Sequence, residues 1–248
     1  SRRLLGYYLR TVPASVRAEW RLLAATFGLV YGLSVLSWLA VSRDLSLAYS
    51  LLSPAAVDGE IAQLRAAAAE GVPFRGNFEF GLGESASFSG LIMANNIRVA
   101  LTFFALALIP PLYVLVLSVN SLMLGTYTAV AGHWGQAGSI SSILWCHGVL
   151  EIQAIILAGT AGLILMRAWV APGPWTRRHA MRLESRRAWA VLAPVFPMLV
   201  IAGLIEGYVS PHASFTIRMG TAVVTGLALL AYILLCGRGS GRPTGQAS

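Results

Sequence analysis

Long apolar runs separated by short polar ones set the pattern of this chain. The runs fall at about residues 22–41, 89–109, 112–131, 141–168, 188–209 and 215–236. Each is near 20 residues long, the length at which a helix crosses about 30 Å of hydrocarbon. The pattern therefore predicts an all-α fold, a polytopic transmembrane bundle of about six spans forming one membrane domain over 22–236. Pro110-Pro111 breaks the second and third runs, because two missing N–H groups interrupt a helix. Pro194 and Pro197 are expected to kink the fifth span. The longest polar stretch, 43–90, contains an alanine-rich helix candidate at 59–70, and the Gly/Ser/Pro-rich tail 237–248 is expected to be disordered.

Residues 1–21 differ from the spans. Leu4, Leu5, Tyr8, Val12, Val16 and Trp20 alternate with Arg2, Arg3, Arg10, Arg17 and Arg21 in a roughly helical pattern interrupted at Pro13. This predicts an amphipathic segment at the surface of an anionic leaflet, with Arg2, Arg3, Arg10 and Arg17 reaching phosphates and Trp20 at headgroup depth. The first long run carries no cleavage-like site, so the first span is expected to stay.

Composition agrees with a lipid-facing chain: 56% of residues are hydrophobic and only 11% charged, against about a quarter charged in soluble domains. The net charge of +8 comes from arginine alone, since there is no lysine. These arginines flank apolar spans, which points to membrane topology and excludes a nucleic-acid partner. A basic N-terminus, an acidic 43–90 segment (Asp44, Asp58, Glu60, Glu70, Glu79, Glu84) and the basic loop into which the fourth span empties, 168–187 (Arg167, Arg177, Arg178, Arg182, Arg186, Arg187), predict both termini on the cytoplasmic side of a bacterial inner membrane. An odd number of crossings must separate the last two segments. Three full spans satisfy this, and so does a re-entrant pair turning at Pro110-Pro111 followed by one span. Cys146 and Cys236 fall near opposite leaflets, too far apart for a disulfide.

Ionisable groups inside spans are costly and mark function or a structural pair. Arg98, His147, Glu151 and Glu206 are the candidates. Counting from span ends at about 1.5 Å per residue puts them roughly 5 to 15 Å below the outer surface, in one layer. Asn95, Asn96 and Asn120 join them as an intramembrane polar constellation. On the fourth span His147, Glu151, Ala154, Ala158 and Ala161 lie within roughly 80° of one another, with Gly159 and Gly162 at the edges, a small-residue stripe suited to close helix packing. Two readings follow. In one, a cavity open to the outside uses Arg98 as an anion or headgroup contact and His147/Glu151 as a proton or metal site. In the other, Arg98 neutralises Glu151 or Glu206 in a network that fixes helix register. His147 and Glu151, at i and i+4, are the metal candidates, but His133 and His212 lie off the spans and no third ligand is evident, so no metal is expected. No P-loop, dinucleotide fingerprint, H-E-x-x-H or nucleophile elbow occurs.

The chain resembles the stage II sporulation protein M family of bacterial and archaeal membrane proteins. The resemblance rests on Asn95-Asn96-Ile97-Arg98-Val99-Ala100, Asn120 with Gly125, His147-Gly148-Val149-Leu150-Glu151 continuing to Ala158-Gly159-Thr160-Ala161-Gly162-Leu163, Pro172-Gly173 with Arg177-Arg178, and Ile205-Glu206-Gly207-Tyr208-Val209-Ser210-Pro211. Pro110-Pro111 stands where the family turn looks glycine-rich, and Ser121 where glycine usually follows the asparagine. The resemblance implies no reaction and no cofactor. It implies a membrane scaffold or remodelling protein, as the founding member looks like an anchor for cell-wall hydrolases. The expectation is a non-enzymatic protein that acts on the lipid bilayer, pairs as a homodimer and holds envelope or cell-wall proteins. A transporter or channel built on the polar layer, or an intramembrane hydrolase, is the alternative.

Overall fold

The computed structural model describes residues 2–75 and 81–238. Glu79 of the acidic segment and most of the tail expected to be disordered, 239–248, lie outside the described residues. Among the described residues, six helices are long and apolar enough to cross a membrane. They are Trp20–Arg43, Leu82–Leu106, Pro110–Gly132, Ala137–Val170, a fifth span beginning at Arg177, and Phe215–Leu235. The second and third are 25 and 23 residues long. Both are long enough for a full crossing, which favours three crossings over a re-entrant pair. Pro110 starts the third span, where a missing N–H costs nothing.

The fourth span is the hub and packs against each of the other five. Its stripe explains why: Ala154, Ala158, Gly159, Ala161 and Gly162 are all buried. A side chain at Gly159 would run into the Tyr113 ring, and one at Gly162 would come within 2.2 Å of the Phe104 carbonyl of the second span. The first and third spans meet as closely. Ser34 donates to the Ser121 carbonyl at 2.8 Å, and Gly125 lies directly under the Ser34 carbonyl.

The basic end departs from expectation. The predicted loop at 168–187 is mostly helix, Arg177–Leu192, with only a short connection before it. Thr176 starts it by accepting the His179 N–H. Arginine, alanine, leucine and glutamate are all good helix formers, so the helix persists after the hydropathy has fallen. The break comes at Ala193-Pro194, after which Val195–Leu204 and a π turn, Ile205–Val209, complete the span. Pro197 sits in the first turn of that helix.

The N-terminal segment is helical as Arg2–Gly6, a π turn over Tyr7–Thr11, and Val12–Ala18. The π turn lies just before Pro13, with the Val12 N–H bonded to the Tyr7 carbonyl. Val12 and Val16 are buried with Leu157, Ile164, Val191 and Leu199 in the largest apolar cluster. Arg17 turns inward and donates to the Ile233 and Cys236 carbonyls that end the sixth span, the last at 2.7 Å. Arg2, Arg3, Arg10 and Trp20 stay exposed. Glu19 is 7% exposed and forms a two-point pair with Arg167 at 3.0 Å for each bond. Arg167 also reaches Glu184, which holds Arg187. This chain of charges ties the N-terminal helix, the end of the fourth span and the start of the fifth.

At the opposite, acidic end the alanine-rich helix runs from Pro54 to Glu70, capped by Ser53. Val57, Ile61 and Leu64 pack against Val41, Ala129 and Val130. Asp44 accepts the Ser46 N–H and hydroxyl, which hold its carboxyl below the usual carboxylate range. Gln136 bridges the Phe74 N–H and the Val72 carbonyl, pinning the strip before the second span.

Candidate functional site

Three ionisable groups at membrane depth converge. His147 and Glu151 project from one face of the fourth span, one turn apart. Glu206 comes from the π turn of the fifth span, where the Ser210 N–H bonds to the Ile205 carbonyl. A π turn widens the helix by one residue, and such turns recur at functional sites. The second span holds it in place: Ser89 donates to the Gly203 carbonyl at 2.8 Å, and Gly207 packs so closely on Ser89 that a methyl group would not fit.

His147 Nε2 lies 3.6 Å from Glu206 Oε1 and 3.9 Å from Glu151 Oε2. Its Nδ1 is 3.2 Å from the Ser210 hydroxyl, so the ring is aimed with Nε2 toward the carboxylates. One ligand atom from each of the three side chains lies within 4.8 Å of the others. His147 is 5% exposed and Glu206 8%. The second carboxylate oxygen of Glu206, Oε2, is buried with no hydrogen-bond partner. The donor set is one imidazole and two carboxylates, which can share a proton or hold a divalent cation. The third ligand that spacing alone did not reveal is Glu206.

The remaining members of the predicted constellation are elsewhere. The second span buries Asn96, Ala100, Phe103 and Ala107 toward the bundle. That choice of face leaves Asn95, Arg98 and Thr102 exposed on the other side. Arg98 donates to Asn95 Oδ1 at 3.1 Å and does not neutralise Glu151 or Glu206. Its depth also changes. The span begins at Leu82, not near 89, so Arg98 lies roughly 24 Å from that end and about 12 Å from the Leu106 end. Asn120 is exposed on the third span and donates to its own Val116 carbonyl at 2.9 Å.

Among the described residues, two further buried ionisable groups, Arg218 and Glu19, are not signalled by hydropathy. Arg218, near the start of the sixth span, donates to Ser142 at 3.5 Å and to the Pro211 carbonyl at 3.4 Å, beside the His147 cluster. It is the single Asp, Glu or Arg between Glu206 and Arg238, which was the available signal. Glu19 carried the same signal as the one acidic residue before Asp44. His212, placed off the spans by the sequence, bonds to Ser85 at 3.0 Å. His133 reaches the Val41 carbonyl at 2.9 Å. Cys146 and Cys236 are both free thiols.

Neither the curated proteins nor the solved structures contain a detectable match to this chain. The family model described as Stage II sporulation protein M matches residues 22–211, covering the first five spans and both carboxylates of the cluster, and the chain belongs to that family.

Proposed function

We propose that the chain is a non-catalytic membrane scaffold of the bacterial envelope that seats a partner helix on its second span. The observation that carries this reading is the exposed row Asn95, Arg98 and Thr102. A guanidinium facing lipid about 12 Å from the helix end costs about 2.5–3.5 kcal/mol. Asn95 takes one of its five donors. A groove of about 490 Å³ lined by Ala94, Ile97, Arg98, Leu101, Thr102 and Ala105 runs along the same face. Small residues let a second helix approach, and the remaining donors suit a carboxylate.

A second copy fits this face poorly, because a symmetric contact centred on Arg98 would bring like charges together at low dielectric. The chemistry favours a membrane helix of another protein that carries an Asp or Glu at matching depth. Family membership supports a membrane protein of that family. The clustering of Arg2, Arg3, Arg10, Arg167, Arg177 and Arg178 toward one end of the bundle supports a cytoplasmic basic face and an inner-membrane location.

Labelled polyleucine transmembrane peptides with one central Glu, Gln or Lys test the seat by energy transfer to the protein in bilayers. The Glu peptide is expected to bind at least about tenfold tighter than the Lys peptide, about 1.4 kcal/mol. Arg98→Ala should remove that preference. Equal binding of all three peptides, or a preference that survives Arg98→Ala, contradicts the reading.

A further inference from the structure

The structure assigns a divalent-cation site to His147, Glu151 and Glu206, independent of the partner seat on the second span. Three features of the geometry support it together. First, the three donors come from two spans and aim at one point, all within 4.8 Å of one another. Second, the contacts stop short of hydrogen bonds: 3.6 and 3.9 Å separate Nε2 from the two carboxylates. Donors sharing a tetrahedral ion at about 2.0–2.2 Å stand about 3.4 Å apart, so small side-chain rotations close the shell. Third, the Glu206 side chain, 11% exposed, faces the cluster, and its Oε2 is itself buried with no hydrogen-bond partner. Burying a carboxylate oxygen unpaired is expensive, and a cation repays it directly.

The surroundings match the way proteins build such sites. Ser210 sits on Nδ1 of His147 at 3.2 Å. The hydroxyl can accept the Nδ1 proton, in the tautomer that presents a bare Nε2 to an ion. The carboxylates arise at separate positions, one on the regular fourth helix and one on the π turn, so the ion would staple the fourth span to the fifth. One nitrogen and two oxygen donors suit a borderline ion such as Zn²⁺, with a fourth position left for water. Arg218 beside the cluster bonds to Ser142 and Pro211 and stays outside the donor set.

The test uses the full chain in nanodiscs, stripped with EDTA, then titrated with Zn²⁺ and, for its absorption spectrum, with Co²⁺. The expected result is one ion per chain, a higher Tm with Zn²⁺, and Co²⁺ bands of a low-coordinate site. Glu206→Gln is expected to weaken Zn²⁺ at least about 100-fold. Ser210→Ala, which keeps every ligand and is gentler on folding, should weaken it about 10-fold. His133→Ala should change nothing. Should the wild-type chain take up less than a tenth of an equivalent and show no Co²⁺ spectrum, the site does not exist. Stoichiometric binding that survives both Glu206→Gln and Ser210→Ala places the ion elsewhere and equally overturns the assignment.

Discussion

Gly125→Val is expected to abolish recovery of folded protein. A Cβ at Gly125 would stand 1.9 Å from the Ser34 carbonyl oxygen and 2.3 Å from the Ser37 hydroxyl. The nearest obstacle is backbone, so rotamer changes cannot relieve it and the first and third spans must separate. Separation breaks the bond from Ser34 to the Ser121 carbonyl and opens the packing around Val30 and Leu117. Overpacking costs about 1–3 kcal/mol where side chains can yield, and more here because main chain must move. Gly32→Ala on the facing helix is the matched control, with nothing within 4 Å of its Cβ. It should stay within about 0.5 kcal/mol of the parent. Size-exclusion recovery after graded heating in detergent reads both.

Arg167→Ala is expected to lower stability by about 2–4 kcal/mol and to release the N-terminal helix. The side chain of Glu19 is 8% exposed and its carboxylate takes both of its bonds from this one guanidinium. Without Arg167 a nearly buried charge is left unpaired, the costly way to break an ion pair. The cost stays below that of a fully buried pair because Arg167 itself is 42% exposed. Arg167→Lys should recover part of the loss, since a point charge replaces a fork that bonds at two points. The readouts are Tm and maleimide labelling of a Val12→Cys variant. Val12 is completely buried, so labelling should be slow in the parent and rapid after Arg167→Ala. Slow labelling in both would show that Val12, Val16 and the Arg17 bonds hold the helix without the charge clamp.

The spans were legible because hydrophobic length answers directly to bilayer thickness, and the small-residue stripe on the fourth span was legible because it repeats at helical spacing. What periodicity shows is which residues share a face. It does not show which face meets protein. The polar constellation puts Asn95 and Arg98 beside the fourth-span carboxylates, while the second span turns Asn96, Ala100 and Phe103 to the bundle and leaves Asn95 and Arg98 outside it. Glu206 was seen as a membrane carboxylate and missed as a third ligand, because its position depends on a π turn and on the crossing of two helices distant in sequence. The helix at Arg177–Leu192 was hidden by reading low hydropathy as loop, although Thr176 and the helix formers after it announce a start. Arg17 was assigned to phosphates on charge alone, and the end of the sixth span, more than two hundred residues away, claims it instead.

The most direct test of the scaffold reading is photo-crosslinking from Leu101, in the groove beside Arg98, in native membranes. The account predicts a crosslinked peptide from another protein's membrane helix that contains an Asp or Glu, lost on Arg98→Ala and absent when the crosslinker sits at Leu227 on the lipid-facing sixth span. Crosslinks to lipid alone at Leu101, or the same protein captured whether or not Arg98 is present, would contradict it.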